Sequence, residues 1–427
     1  MSMLTRALSL VALPVLVVTS CSHVTRDEVR EDRSAARASE PFEVHEWGTF
    51  TSMQGANGTS LDGLQHESEA LPSFVHSSIS ETPSPFRAYG DTSLGVPVHH
   101  CTGKMEPPVM YFYAPSSRHV DVHVDFAGGM MTEWYPSARV TPTLDPRDAL
   151  DLAKIERSSL DWSIELTPYE PTPTRFPLVS SDDPWTFARE VHAATVTTSG
   201  TKAEPGESER YVFYRGLGRL DLPIDVVVAT DSLVVVRNRG DATIGKAFVL
   251  DVHGDKGRYV RIDDLGAQST RPLSMTETKM RPKDEVVAAL QQEMTAALVA
   301  EGLYQDEARA MIRTWSRTWF SAEGTRVIYL EPRGLTDRVL PLTITPAPDR
   351  LVRVLVGRHE FLTQEAEQEI EGALRDRLSP NASIRDAAME RLATRGRFLE
   401  PSVRRLSETT TDPLVRESAL SMLAQFP

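Results

Sequence analysis

Within residues 118–126, RHVDVHVDF, polar and apolar side chains alternate strictly from His119 onward, and that period of two restricts what the chain can fold into. An amphipathic helix needs a period near 3.6, so the stretch reads as a strand with one buried face. Its surroundings carry the same signal. LDWSIELTP (160–168) alternates in part, while LPIDVVVATDSLVVVRNRGDA (222–242) and GKAFVLDVHGD (245–255) are β-branched runs bounded by Gly, Asp and Asn. Prolines fall mostly between the runs. From Phe42 to about Asp263 this spacing predicts antiparallel sandwiches.

Beyond Pro282 the period becomes helical. KDEVVAALQQEMTAALVAEG (283–302) places apolar residues at helix spacing and ends on a glycine stop, and YQDEARAMIRTWSRTWF (304–320) follows as a second helix. Trp315 and Trp319 lie four apart on one face of it and read as core packing. Strands return in TRVIYLEP (325–332) and RLVRVLVGR (350–358). NASIRDAAMERLA (381–393) and DPLVRESALSMLA (412–424) then repeat one pattern at a period of 31 residues, aligning Arg385 with Arg416 and Ala388 with Ala419. With FLEPSVRRLSE (398–408) as the helix between them, they resemble HEAT-type repeats. Too few units are present to stand alone, so their apolar faces should pack on the body. LVVVRNRGDATIGKAFVLDV (233–252) resembles two adjoining strands of an immunoglobulin-like module, with NRGD as the turn. The expected fold class is therefore α+β. An immunoglobulin-like β-sandwich body occupies 41–265, a helical pair with returning strands occupies 266–363, and a HEAT-like segment occupies 364–427.

The chain opens on a basic segment, MSMLTR, and an apolar run, ALSLVALPVLVV, too short to span a bilayer comfortably. The run ends at VTSC, which resembles a bacterial lipobox with Cys21 as the lipidated residue after a signal peptide over 1–20. Ser22 stands where an aspartate often retains lipoproteins at the inner membrane, so the resemblance implies an outer-membrane destination. Residues 21–40 are charged and nearly free of large apolar side chains, as in a tether. If Cys21 carries lipid, Cys101 is left alone and no intramolecular disulfide can form. The net charge of −14 and the lack of a basic, aromatic-interleaved cluster exclude nucleic acid as the expected partner.

Three stretches carry candidate chemistry. VHEWGTFTSMQG (44–55) holds His45 and Glu46, but Thr49 stands where a zincin helix needs its second histidine. In an extended strand His45, Trp47 and Thr49 share one face, and Glu46, Gly48 and Phe50 the other. VHHCTGKMEPPVMYFY (98–113) brings His99 and Cys101 to one face, half of a zinc or copper site. His119 and His123 alternate with Asp121 and Asp125 on a strand face that could chelate a divalent transition metal such as zinc or could simply meet water. No G-x-S-x-G elbow, Walker loop, dinucleotide fingerprint or paired C-x-x-C is present.

VHEWGTFTS, KMEPPVMYFY, MMTEWYP, YVFYRGLGRLDLP, EGTRVIYLEPR and LVRVLVGRHEFLT, spread over about Phe42 to Thr363, together resemble a family of uncharacterised secreted or lipid-anchored bacterial proteins. The resemblance implies that the β-rich and helix-plus-strand regions form one integrated unit. It brings no catalytic residues, because no activity is assigned to that family. The expected function is a lipid-anchored outer-membrane protein of binding or scaffolding type, with an envelope protein as partner. The competing reading is a metal-dependent hydrolase built on His45, Glu46, His99 and Cys101, joined by His119 and His123. Ligand binding between the β regions is a third.

Overall fold

The computed structural model describes residues 41–426 apart from 68–69, 79–80, 84–91, 95–96, 146–148, 172–175, 201–205 and 231–232. The signal segment, Cys21 and the tether expected at 1–40 lie outside the described residues. The rest is a mixed α+β structure with large sheets and C-terminal helices.

The opening strand, Glu43–Gln54, sets all of VHEWGTFTSMQG but its final glycine into the middle of a sheet. One side pairs antiparallel with Gly103–Tyr113, and the other pairs in parallel with the closing strand, Arg350–Phe361, in continuous register from Glu43 with Arg350 to Gln54 with Phe361. Among the described residues the sheet has ten strands. On one flank it continues through Val212–Gly218, Gly129–Tyr135 and His76–Ser77, and on the other through Gly324–Leu330, Ile244–His253, Lys256–Leu265 and Arg281–Pro282. Every other neighbouring pair in it is antiparallel. A register shift lies between Trp47 and Thr49, opposite Pro107–Pro108. A proline cannot donate to the ladder and is admitted at bulges. Gly48 fits this bulge because a Cβ there would lie 2.8 Å from the Pro108 Cα.

Both faces of the large sheet are covered, so its central strands carry few water-facing positions. On one face Val44, Phe50, Met110 and Phe112 pack against Val122, Val124, Trp162 and Ile164 of a second, antiparallel sheet. That sheet contains RHVDVHVDF as strand Arg118–Ala127, with Val120, Val122, Val124 and Phe126 buried, as the alternation predicts. On the other face Trp47, Tyr111, Phe213 and Val354 pack against helices Lys283–Ala300 and Gln305–Trp315.

The strands flanking NRGD do not form a hairpin. Leu233–Asn238 pairs with Ile224–Thr230 and Thr270–Ser274 in a three-stranded sheet, while Ile244–His253 joins the large one. Buried Asn238 makes the crossing. Its Nδ2 donates to the carbonyls of Ala242 (2.8 Å), Leu265 (3.1 Å) and Gly266 (3.0 Å), and its Oδ1 accepts from Gly240 N at 2.9 Å.

The C-terminal helices, Gln364–Asp376, Ala382–Ala393, Leu399–Thr409 and Pro413–Leu423, keep the 31-residue repeat in their hydrogen bonds. Asn381 and Asp412 both cap the backbone N–H two residues on. Arg385 and Arg416 both reach back six residues, to the carbonyls of Ser379 (2.9 Å) and Thr410 (2.5 Å). Leu374, Leu392, Val403 and Val415 share a core with Met53, Leu64, Cys101 and Leu217. Residues 41–427 form one compact unit. Among the described residues, no helix is long and apolar enough to cross a membrane.

Candidate ligand cleft

Where the helical face of the large sheet meets the C-terminal helices, a cleft opens with a cavity volume of about 110 Å³. Its walls are aromatic. Trp47 comes from the opening strand, Phe213 from strand Val212–Gly218, and Tyr211 from the residue just before that strand. Trp185 belongs to the short helix Pro184–Arg189, which starts on a proline with Asp183 capping the Trp185 N–H at 2.8 Å. The Trp185 indole is fixed by donating Nε1 to Glu209 at 2.8 Å and by Phe213, 4.8 Å away between ring centroids.

Trp315 and Trp319 complete the wall. Trp315 meets Trp47 edge-on at 5.4 Å and stacks with Trp319 at 5.1 Å. Two buried arginines hold the turn after their helix. Arg326 donates to the carbonyls of Trp319, Ala322 and Glu323 at 3.1, 2.8 and 2.9 Å, and Arg358 donates to Thr318 O at 3.3 Å. Both share one carboxylate, Glu360, at 2.6 and 2.7 Å. Burial lowers the Arg358 pKa to about 9, and neighbouring Arg326 and Arg397 push the same way against Glu360.

The floor is charged. Glu67, Glu106, Arg215 and Arg397 line it, and Lys104 and Glu133 lie behind. Glu67 is shared by Lys104 and by Arg215, the latter at 2.8 Å. Glu106 pairs with Arg397 and accepts from Thr51 Oγ1 at 2.6 Å. Burial pushes the Glu106 carboxyl up, but Arg397 and Lys104 overcome it and hold the group well below its usual value. Glu133 is different. Burial raises its pKa to about 7, against Arg215, and Glu67 adds to the rise. Its neighbour Thr132 donates to it at 2.6 Å. The arrangement offers flat apolar walls for a ring-sized group and fixed charges below it.

The six residues expected to hold a metal occupy separate places. His45 is fully buried, with Nδ1 2.9 Å from Glu307 Oε2, Nε2 3.4 Å from Glu43 Oε2, and its ring between Tyr113 and Tyr304. Glu46 points to the opposite face, as the strand alternation requires, and accepts from Tyr214 Oη and from Arg353 Nε at 2.5 Å. His99 is exposed on a two-residue strand paired with Leu150–Asp151. His119 and His123 stand on the outer face of the second sheet, beside Glu165 (2.8 Å) and Asp161 (2.7 Å). Among the described residues no group of three or more His, Cys, Asp or Glu side chains is placed to hold a metal ion.

Cys101 lies in the core under the C-terminal helices, its thiol 3.7 Å from Gly103 O. Burial pushes its pKa to about 12, and the thiolate is the reactive form. In native protein bearing Cys21→Ser, a disulfide reagent such as DTNB is expected to label Cys101 only on unfolding. Labelling within minutes under native conditions would show that the helices open readily.

Trp185, Glu67, Arg215 and Arg397 do not stand out in the sequence, because segments far apart in the chain bring them together. The available signal was a charge interrupting an apolar strand, as in KMEPPVMYFY and YVFYRGLG. No family model and no curated protein matches the sequence. Among solved structures, the Fcho1 mu homology domain of Danio rerio with bound Eps15 peptide aligns over 77% of this chain and 100% of its own, at 5% identity and a TM-score of 0.29. The yeast delta-COP-I mu-homology domain complexed with a Dsl1 WxWxV peptide aligns over 76% and 98%, at 7% identity and a TM-score of 0.26. At these scores the likeness assigns neither family nor function.

Proposed function

We propose that the protein is a lipid-anchored outer-membrane protein of binding or scaffolding type, held through Cys21, with the tryptophan-walled cleft as its ligand site. The observation that carries this reading is the cleft itself. Four tryptophans from three segments converge over a floor of buried charges. Replacing buried ion pairs by apolar side chains is often neutral or stabilising, so their retention beneath a cavity favours recognition. The resemblance of VHEWGTFTS and its companion segments to a secreted or lipid-anchored bacterial family belongs to the same proposal. So do the immunoglobulin-like character of the body and the HEAT-like character of the C-terminal helices, a repeat type suited to protein contacts.

Hydrogen exchange on the full chain bearing Cys21→Ser, with and without separated lipid, glycan and protein fractions of a bacterial envelope, tests the reading. The expected result is slowed exchange in 183–189, 211–215 and 305–320 with one fraction. Protection confined to other segments would sink the cleft as the ligand site. Near-stoichiometric metal that His45→Ala or His99→Ala removes would favour the hydrolase instead.

A further inference from the structure

The floor of the cleft is not balanced. Lys104, Arg215 and Arg397 face two carboxylates that hold ionic partners, Glu67 and Glu106. Behind Trp319, Arg326 and Arg358 divide a single carboxylate, Glu360. The remaining floor carboxyl, Glu133, faces Arg215, Lys104 and Glu67 and gives up its proton only near neutral pH. Asp183 also lines the cleft, but it belongs to the far wall, where its carboxylate caps the Trp185 helix.

Hydrogen bonding points the same way. Arg397 is 6% exposed and lines the cleft, and its Nη2 has no hydrogen-bond partner among the described residues. No buried side-chain oxygen of the described lining residues lacks one. The need left open at the floor is therefore for an acceptor, and an ionised carboxylate only accepts. The room above suits a ring-sized body, since the cavity of about 110 Å³ opens outward and a closed one of about 150 Å³ admits benzene.

We propose that the cleft takes a small carboxylate, its apolar body lying against Trp47, Trp315 and Trp319 and its charge meeting Arg397. This rests on the cleft being the ligand site. A neutral ligand with a carbonyl oxygen could accept from Arg397 but would form a weaker bond without charge assistance, and a cationic one would face the surplus of guanidinium groups below. Arg397 reaches the floor from the C-terminal helices, and Arg215 from the large sheet. A carboxylate seated between them would tie those two parts of the fold together.

Three probes of one shape separate the possibilities: phenylacetate, phenylacetamide and phenethylamine. They are titrated into the full chain bearing Cys21→Ser, with binding read by tryptophan fluorescence and calorimetry. A charge-assisted hydrogen bond should favour phenylacetate by about tenfold or more over both others at pH 6. The preference should shrink at pH 8, where Glu133 is ionised and adds a negative charge beside Glu67. Arg397→Gln, checked for folding by near-ultraviolet circular dichroism, should erase the preference by weakening phenylacetate far more than phenylacetamide. If phenylacetamide or phenethylamine binds as well as phenylacetate to the unaltered floor, the carboxylate proposal is overturned and the cleft stands. If none of the three changes the tryptophan signal or the calorimetric heat at millimolar concentration, the carboxylate proposal falls together with the cleft as a small-ligand site.

Discussion

Glu46→Ala is expected to lower the free energy of unfolding by about 3 kcal/mol, near the lower end for stripping a buried charge of its partner. Arg353 stands on the closing strand, in register with Glu46, with its side chain 1% exposed, and Glu46 is its fully buried carboxylate. Asp337 also accepts from Arg353, at 2.9 Å, but stands half in water, which is why the loss stays at the lower end. Tyr214 Oη, buried and donating to Glu46, loses its acceptor as well. The double change Glu46→Leu with Arg353→Met should recover much of the loss, because an apolar pair carries no desolvation cost. Guanidinium-induced unfolding followed by tryptophan fluorescence measures both. A single variant within about 1 kcal/mol of the parent would mean that water or Asp337 already satisfies the guanidinium.

Removing residues 364–427 is expected to abolish cooperative folding. The C-terminal helices do not sit beside a finished domain. They bury Met53, Leu61, Leu64, Met130 and Leu217 from the body, and an apolar patch of that extent on a soluble protein invites association. They also supply charges and rings that the sheet depends on. Without Arg397, Glu106 would be a buried carboxylate beside Lys104 alone, and without Phe398, Arg358 would lose one of its two stacking faces, 4.9 Å away. Glu400, paired with His66 at 2.5 Å and accepting from Gln65 at 2.8 Å, ties the helices to the segment leading into the cleft. Size-exclusion chromatography and near-ultraviolet circular dichroism of residues 41–363 check this. A monomer with a sharp unfolding transition would show that the helices are an appendage.

Much of the architecture was legible because it rests on local periodicity. RHVDVHVDF buries the side chains that its alternation marks, and the change of period after Pro282 falls where helix Lys283–Ala300 begins. The repeat at 381 and 412 survives in caps and arginine contacts because residues of matching chemistry at matching positions solve the same turn in the same way. What could not be read is the pairing of strands far apart in the chain. Nothing within VHEWGTFTSMQG says that its neighbour lies at 350–361, so His45 looked available for a site. Its actual partner, Glu307, is 262 residues away. The NRGD turn misled for a related reason. A turn marks a reversal of the chain, and it does not say that the next strand pairs with Lys256–Leu265 and Gly324–Leu330. Trp315 and Trp319 were read as core, and they are buried. Trp47, Trp185, Tyr211 and Phe213, from other segments, turn that packed face into one wall of a cavity.

The parallel pairing of the opening and closing strands has a consequence in time. A chain is released from its N-terminus onward, yet the centre of the large sheet is not complete until residue 361 has emerged. Until then Glu43–Gln54 can find Gly103–Tyr113 but keeps its other edge open, with Glu46 lacking its cation. Contacts of such sequence separation close slowly and leave strand edges exposed while they wait. A nascent chain of this kind stays pliable until residue 361 appears, so whatever protects it during synthesis must cover that opening strand for most of that time.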